Sequence, residues 1–325
     1  MATSGTVATT VIDTAALLEH SIRRCGIPPS AQTPEIVQMA KENLYLLLLG
    51  LSNNGLNLWA VEKAFIGLNV GQPTYATPAG TLDVLNVVFC TPTLVTSTFA
   101  VGGFGGAATF ASSDVIRVGF AFSADYTGTL IISTSTDGIA YTPTTPLVSE
   151  SYTTDQYYWV DLTASATCTN IAVEGSVVAA VSDIKIVTSV SELPVSQWNR
   201  DTYSVMTNKY TTGHPSTCYF YEKKLTPQIT LWPVPDSADN HLMIYRHRQP
   251  QDVGTLIQQV EIPQRWMDGF IWLLSARLCF EIPGVDPAKQ GMIVQMADKV
   301  VLESEQSETD GAPMYINPGI GVYNR

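Results

Sequence analysis

The sequence has few charged residues, and basic residues are especially scarce. Only 14% of its 325 residues are charged, and 29 Asp and Glu outnumber 17 Lys and Arg, which gives a net charge of −12. A protein that grips nucleic acid needs clustered Lys and Arg to neutralise phosphates, so this balance argues against that class. It does not exclude a protein that DNA must pass without sticking.

Clustered metal-binding and redox residues are also missing. The five cysteines are odd in number, far apart and without CxxC spacing, which predicts buried, reduced thiols in a protein folded in the cytosol. The four histidines form no HExxH motif, and extended chain would hold His241 and His247 about 20 Å apart. We therefore predict exposed or locally hydrogen-bonded histidines, no metal and no cofactor.

No segment indicates export or membrane insertion. The N-terminus lacks a basic region followed by an apolar stretch, and the most apolar run, 44–51, is far short of the roughly 20 residues of a membrane span. We expect a soluble protein.

Catalytic motifs are missing too. The GxGxxA match at 103–108 leads into Ser and Thr residues and a predicted strand, whereas a dinucleotide loop needs a following helix. No GxSxG elbow occurs, and we interpret Asp125, Asp161 and Glu174 as solvated acids rather than glycosidase carboxylates. We predict no catalytic residue and no enzyme.

Helical periodicity marks both ends of the chain. Thr14 is predicted to cap a helix that stops at Gly26, and Thr33-Pro34-Glu35 begins a second helix. Two apolar helices are predicted from about residue 264 and from Asp286-Pro287. A third N-terminal helix is predicted to carry Leu58, Val61 and Phe65.

The middle of the chain alternates as β-strands do. Strands are predicted at 115–122, 129–134, 157–162, 170–173 and 183–187, which indicates a β-sandwich. A hairpin turn is predicted at Asp137-Gly138.

The fold class predicted is α+β: a helical-bundle core with a β-hairpin, interrupted by an all-β, jelly-roll-like sandwich. The four predicted segments are 1–85 (N-terminal helical part of the core), 86–190 (inserted sandwich), 191–303 (hairpin and C-terminal helices) and 304–325 (extended tail).

Residues 229–248, ITLWPVPDSADNHLMIYRHR, predict a β-hairpin with two prolines after its first strand. Proline cannot donate to a ladder, so we interpret this segment as a protected edge beside an exposed tryptophan anchor. Arg246 and Arg248 either contact a phosphate or an acidic partner, or protect the strand edge with their charge. The predicted partner-binding residues are Trp232, Pro233, Pro235, Arg246 and Arg248, with Tyr315 and Tyr323 in the tail.

Aromatic residues of the predicted sandwich are candidate contacts to a glycan or a fibre. They are Tyr141, Tyr157 and Trp159. Ordinary sheet core is at least as good an interpretation, because the side chains simply alternate between the two faces of a strand. Tyr158, Val160 and Leu162 share one face, and Tyr157, Trp159 and Asp161 share the other.

Several short segments occur in a fixed order along the chain: GQPTYATP (71–78), LDVLNVV (82–88), GHP (213–215), ITLWPVPD (229–236) and IP (262–263) followed by Trp266. This order resembles that of the head-to-tail adaptor proteins of short-tailed bacteriophages. The resemblance covers roughly residues 10–90 and 195–305, and the intervening hundred residues depart from it. That insertion is similar to galactose-binding-like β-sandwiches.

This resemblance implies a homo-oligomeric, typically dodecameric ring that docks under the portal protein and continues the DNA channel. A tail nozzle or hub protein, and tail fibres, would be further partners, and genomic DNA would pass without sequence-specific binding. The chain would fold in the host cytoplasm and reside at the head–tail junction of the virion, with no membrane contact. The insertion would contact fibres or glycans, or act as a spacer. The alternative is a virion-associated carbohydrate-binding or peptidoglycan-hydrolysing protein.

Overall fold

The computed structural model describes residues 12–53, 60–101, 105–147, 150–154, 156–175, 180–221 and 227–306. The chain is mixed α+β, as predicted, with a large antiparallel sheet. It divides into two compact units. The helical unit comprises Met1–Ala60 and Gln249–Arg325, and the β unit comprises Val61–Arg248.

The described helices are α1 (Thr14–Cys25), α2 (Pro34–Asn53), α3 (Arg200–Ser204), α4 (Met267–Glu281) and α5 (Pro287–Gln306). All except the short α3 belong to the helical unit. None of the helices in the described ranges is long and apolar enough to cross a membrane.

Helix α1 shows how the helical unit is specified locally. The Asp13 carboxylate accepts a hydrogen bond from the Ala16 backbone N–H at 2.8 Å, so Asp13 rather than the predicted Thr14 is the N-cap. Thr14 is instead fully buried, and its hydroxyl donates to the Gln258 carbonyl at 2.6 Å. The helix ends at Gly26, whose φ of 102° suits glycine.

One apolar core joins the helices of this unit. The small, fully buried Ser21 and Ser275 lie between α1 and α4, where the Ser275 hydroxyl donates to the Ser21 carbonyl at 3.2 Å. The largest core side chains include Leu17, Leu18, Ile22, Leu44, Phe270, Leu274 and Leu278.

The predicted third N-terminal helix is wrong. Val61 and Phe65 lie in the strand β1 (Val61–Gly67), while Leu58 lies outside the described residues. Spacing of three and four residues fits a helix, but the β-prone VEKAFIG segment pairs antiparallel with His241–Arg248. This tertiary pairing overrides the local pattern.

The β unit contains fifteen described strands. The large sheet has the order β1-β15-β3-β11-β5-β10-β7-β8, with β4 on β5; a second sheet has the order β12-β13-β14-β2, and β6 pairs with β9. Neighbouring described strands pair antiparallel, except β12 and β13. After β1, the strands are β2 (Thr74–Ala76), β3 (Thr81–Val95), β4 (Ser97–Val101), β5 (Gly105–Phe122), β6 (Tyr126–Gly128), β7 (Leu130–Ser135), β8 (Thr142–Pro146), β9 (Glu150–Tyr152), β10 (Tyr158–Gly175), β11 (Val181–Pro194), β12 (Ser196–Trp198), β13 (Thr217–Tyr221), β14 (Gln228–Trp232) and β15 (His241–Arg248).

The predicted strands of the middle region fall on longer strands. The stretches 157–162 and 170–173 belong to the single strand β10, which carries register shifts between Asp161 and Asn170. The predicted turn joins β7 to β8, and Gly138 has a φ of 74°. The proposed boundaries at 85/86 and 190/191 fall inside β3 and β11, which pair with each other.

The predicted hairpin at 229–248 is also wrong. β14 lies between β13 and β2 in the second sheet, whereas β15 lies between β1 and β3 in the large sheet, so neither strand is an edge. Ile229 and Leu231 of β14 share an apolar core with Leu242 and Ile244 of β15. The segment therefore crosses between two sheets that pack face to face.

The large sheet curls until β1 approaches the start of β10. At Gly67 the backbones come so close that an added Cβ would lie 2.1 Å from the Tyr157 carbonyl oxygen. This curl brings side chains of β1, β5, β10 and β15 together inside the unit.

Candidate functional site

A polar cluster lies where β1, β5, β10 and β15 meet; its Arg117, His241 and Trp159 are buried, while Lys63 and Asp161 are partly exposed. The Arg117 Nε donates to the Asp161 carboxylate at 2.6 Å, and Lys63 donates to the other oxygen of that carboxylate. The Arg117 Nη1 lies 2.6 Å from His241 Nε2, and His241 stacks on Trp159 with ring centroids 4.3 Å apart. Since arginine can only donate, the histidine nitrogen that faces it accepts.

The charges of this cluster are fixed by its surroundings. Burial, followed by the positive charge of Arg117, lowers the pKa of His241 to about 3, so its imidazole is neutral near pH 7. Burial alone would raise the pKa of Asp161, but hydrogen bonds and charge from Lys63 and Arg117 lower it. Asp161 is thus an ionised acceptor held by two cations.

The sequence-based interpretation of these residues needs correction. Asp161 is paired rather than simply solvated, and His241 and His247 are buried, whereas His20 and His214 are exposed. One sequence signal pointed here: Arg117 is the only Lys or Arg between Lys63 and Lys185, and it sits within an apolar strand. A lone cation there requires a buried partner.

Two neighbouring cavities lie beside the cluster and share four lining residues: Phe65, Pro78, Tyr158 and Arg246. The larger cavity has a volume of about 710 Å³ and includes Thr77, Gln156 and Tyr157 in its lining. The smaller has a volume of about 270 Å³ and includes Glu62, Lys63, Trp159 and Asp161. We call the two cavities together the β-unit cleft.

Arg246, predicted to contact a partner, is buried in a network within the β unit. Its Nε donates to Glu62 Oε1 at 2.8 Å, and its Nη1 donates to the carbonyls of Pro78 and Ala79 and to the Thr81 hydroxyl. Arg248 donates to the other Glu62 oxygen at 2.6 Å. Both arginines therefore form their ion pairs and hydrogen bonds with groups of the same chain.

The predicted tryptophan anchor is partly exposed. The indole Nε1 of Trp232 donates to the Asn208 carbonyl at 2.8 Å, and its ring stacks on Trp198 with centroids 6.2 Å apart. Pro233, which follows a cis peptide bond, is partly exposed, whereas Pro235 is buried. Trp232 remains a predicted partner contact.

Two of the three predicted glycan contacts are brought together: the rings of Tyr157 and Trp159 have centroids 6.2 Å apart. Tyr157 lines the β-unit cleft, and its hydroxyl donates to Asp183 at 2.7 Å. Trp159 is only 4% exposed and belongs to the polar cluster, so it offers no open face to a sugar. Tyr141 is partly exposed but does not line the cleft, and Tyr315 and Tyr323 lie outside the described residues.

The helical unit exposes large apolar side chains beside two grooves. Tyr45 and Leu46 are 47% and 53% exposed and line a groove of about 380 Å³ with Leu44, Leu48 and Val253. A second groove, of about 370 Å³, lies between α2, α4 and α5 and includes Leu51, Leu273, Val301 and the 67% exposed Phe280.

Within the described ranges, no group of three or more His, Cys, Asp or Glu side chains could hold a metal ion. All five cysteines are free and buried, as predicted.

Comparison with known proteins identifies no family. No family model matches the chain, and no curated protein matches it. A solved structure of CBM32 of AlyQ in complex with 4,5-unsaturated mannuronic acid is 18% identical; the match covers 38% of this chain and 99% of that one, with a TM-score of 0.23. A family 29 carbohydrate-binding module is 14% identical over 41% of this chain and 88% of that one, with a TM-score of 0.20. Likeness at these scores carries no argument about function.

Proposed function

We propose that this chain is a structural, non-catalytic subunit that assembles with further copies into a ring, as a head-to-tail adaptor of a short-tailed bacteriophage. The observation that supports this proposal is the apolar surface of the helical unit. Tyr45, Leu46 and Phe280 are exposed beside two apolar grooves. Large apolar patches of this kind mark interaction sites.

The magnitude of burial favours association. Covering one fully exposed large apolar side chain contributes roughly 1.5–3 kcal/mol. Tyr45, Leu46 and Phe280 are 47%, 53% and 67% exposed, so covering all three would contribute roughly 2.5–5 kcal/mol before the entropic cost of association. Several subunit contacts around a ring would add to this gain.

The placement of the grooves suits a ring rather than a two-fold dimer. One groove lies on α2 beside Val253, and the other lies between α2, α4 and α5. Two different surfaces on one subunit permit head-to-tail contacts, which close when the rotation between copies is right. The net charge of −12 would let DNA slide through such a ring without being held.

The proposed partners are those implied by the sequence resemblance: the portal protein on one side, a tail nozzle or hub protein on the other, and tail fibres. Electron microscopy of the purified chain mixed with the portal protein tests this function. We expect a ring on the portal, and a portal that stays bare would overturn the proposal.

Matched variants sharpen that test. Leu46→Ser and Phe280→Ser change exposed side chains and should preserve the fold while weakening ring formation. Ile139→Ser is the control, because Ile139 is 86% exposed in the β unit. If rings form equally well with all three variants, the surface around Leu46 and Phe280 does not mediate contacts between subunits.

Carbohydrate binding is the second candidate, favoured by the aromatic and polar lining of the β-unit cleft. Binding of the whole chain to immobilised glycans tests it. Asp161 is unsuited to be the general acid of a hydrolase, because a general acid needs a raised pKa and the pKa of Asp161 is lowered. We propose no hydrolysis, and a peptidoglycan zymogram that shows clearing would contradict this part of the proposal.

A further inference from the structure

We infer that the β-unit cleft binds a neutral saccharide, with Tyr157 at its wall and the Trp159 indole N–H as a buried donor. This inference rests on the carbohydrate-binding function proposed second above. It assigns that function a place, a ligand class and a set of contacts.

The size of the cleft suits a small ligand. Its larger cavity, of about 710 Å³, lies within the roughly 300–1,000 Å³ typical of ligand pockets. Its smaller cavity shares Phe65, Pro78, Tyr158 and Arg246 with the larger. A ligand of one or a few sugar rings could span both.

The charges of the lining favour a neutral ligand. Glu62 and Asp161 are balanced by Lys63 and Arg246, and these acids and bases pair with each other. A phosphate or a sulfated sugar would need excess positive charge, and a cationic ligand would need excess negative charge. Neither excess is present among the charged residues that line the two cavities.

The ion pairs also prepare the site for hydroxyl groups. Arg246 and Arg248 hold the Glu62 carboxylate, and Lys63 with Arg117 hold that of Asp161. An ionised carboxylate has about four lone-pair sites, so each can still accept from a ligand hydroxyl. Orientation by neighbouring cations lowers the entropic cost of that contact.

One buried donor points to an absent acceptor. Trp159 is 4% exposed and lines the smaller cavity, and its Nε1 has no hydrogen-bond partner among the described residues. Buried donors are nearly always paired. A saccharide oxygen in the cavity would supply the acceptor, and indole has no acceptor function that a ligand donor could use.

The remaining lining matches the two kinds of surface on a sugar. Tyr157 presents a partly exposed ring, with Lys185 Nζ 3.6 Å from its centroid on one side, and Tyr158 contributes the edge of a ring that stacks on Phe120. Thr127, Ser151 and Gln156 supply hydroxyl and amide groups. Sugars combine apolar C–H faces with hydroxyl rims, so a lining of rings and short polar side chains complements them.

The test uses the full chain and a panel of soluble neutral oligosaccharides: gluco-, galacto- and manno-oligomers and N-acetylglucosamine oligomers. Sulfated and phosphorylated counterparts complete the panel. Affinity is measured by isothermal titration calorimetry. We expect at least one neutral oligosaccharide to bind and the anionic counterparts to bind more weakly.

Two variants locate the ligand. Tyr157→Ala should weaken binding at least tenfold, and Trp159→Phe, which keeps a ring but removes the N–H, should weaken it severalfold. Tyr141→Ala is the control, because that aromatic residue lies outside the cleft. If the alanine variant does not fold, Tyr157→Leu replaces it, because leucine fills space but removes the ring, and the same weakening is expected.

The outcomes separate the site from the function. If a neutral saccharide binds but the cleft variants bind as tightly as the Tyr141 control, carbohydrate binding stands and the cleft assignment is overturned. Preference for the anionic counterparts overturns the ligand class. If nothing in the panel binds, both the inference and the second candidate function fail.

Discussion

Truncating Arg246 should destabilise the β unit strongly, because its guanidinium group donates hydrogen bonds that connect several strands and loops of the unit. The side chain is 9% exposed and donates to Glu62, to two backbone carbonyls and to the Thr81 hydroxyl. Glu62 is 36% exposed and keeps its ion pair with Arg248, so the cost arises mainly from the acceptors of Pro78, Ala79 and Thr81 that lose their donor, and we expect about 2–3 kcal/mol. For a unit of this size, that loss corresponds to a fall of roughly 4–12 °C in melting temperature.

Differential scanning calorimetry of Arg246→Ala measures this effect. Arg200→Ala is the matched control, because Arg200 is an exposed arginine of the same unit and should change stability by less than about 0.5 kcal/mol. Arg246→Lys keeps the charge but not the fork of donors, so we expect only partial recovery. Equal melting temperatures for the Arg246→Ala and Arg200→Ala variants would refute the structural role and return Arg246 to the candidates for partner contact.

Two further predictions concern buried titratable groups. The pKa of His241 falls from 6.5 to about 3 on folding, so the unfolded chain binds the extra proton and stability decreases as pH falls through this window, by at most about 1.4 kcal/mol per pH unit. Between pH 6.5 and 5, the free energy of unfolding in urea should depend less on pH in the His241→Gln variant than in the His214→Gln variant. Identical slopes for the two variants would contradict the lowered pKa of His241. Burial raises the pKa of Cys25 to about 11 and that of Cys218 to about 12. Ellman's reagent should therefore react slowly with the native protein and detect five thiols per chain in denaturant. Rapid labelling of the native protein would contradict this prediction.

Local signals in the sequence located most elements but not their partners. Helical periodicity placed α1, α2, α4 and α5, because capping residues and apolar spacing are encoded within each segment. The segment 229–248 shows the limit. Its alternation fits either a hairpin or two strands in facing sheets, and the choice depends on pairing with β1, β2 and β3, which are distant in sequence.

The candidate site was harder to predict because it depends on the curl of the large sheet. Alternation correctly put Trp159 and Asp161 on one face of β10 and Tyr158 on the other. A sheet exposed on one side would leave the first face open to a ligand. Here β1 comes back toward β10, so Trp159 is covered and stacks on His241.

The proposed adaptor function is tested most directly by electron microscopy of the full chain mixed with the portal protein that is its proposed partner. The account predicts a closed ring of this chain between portal and tail, with the helical units in contact through the surfaces around Leu46 and Phe280. A particle that carries the chain only on fibres, or a portal that binds none of it, would contradict the account.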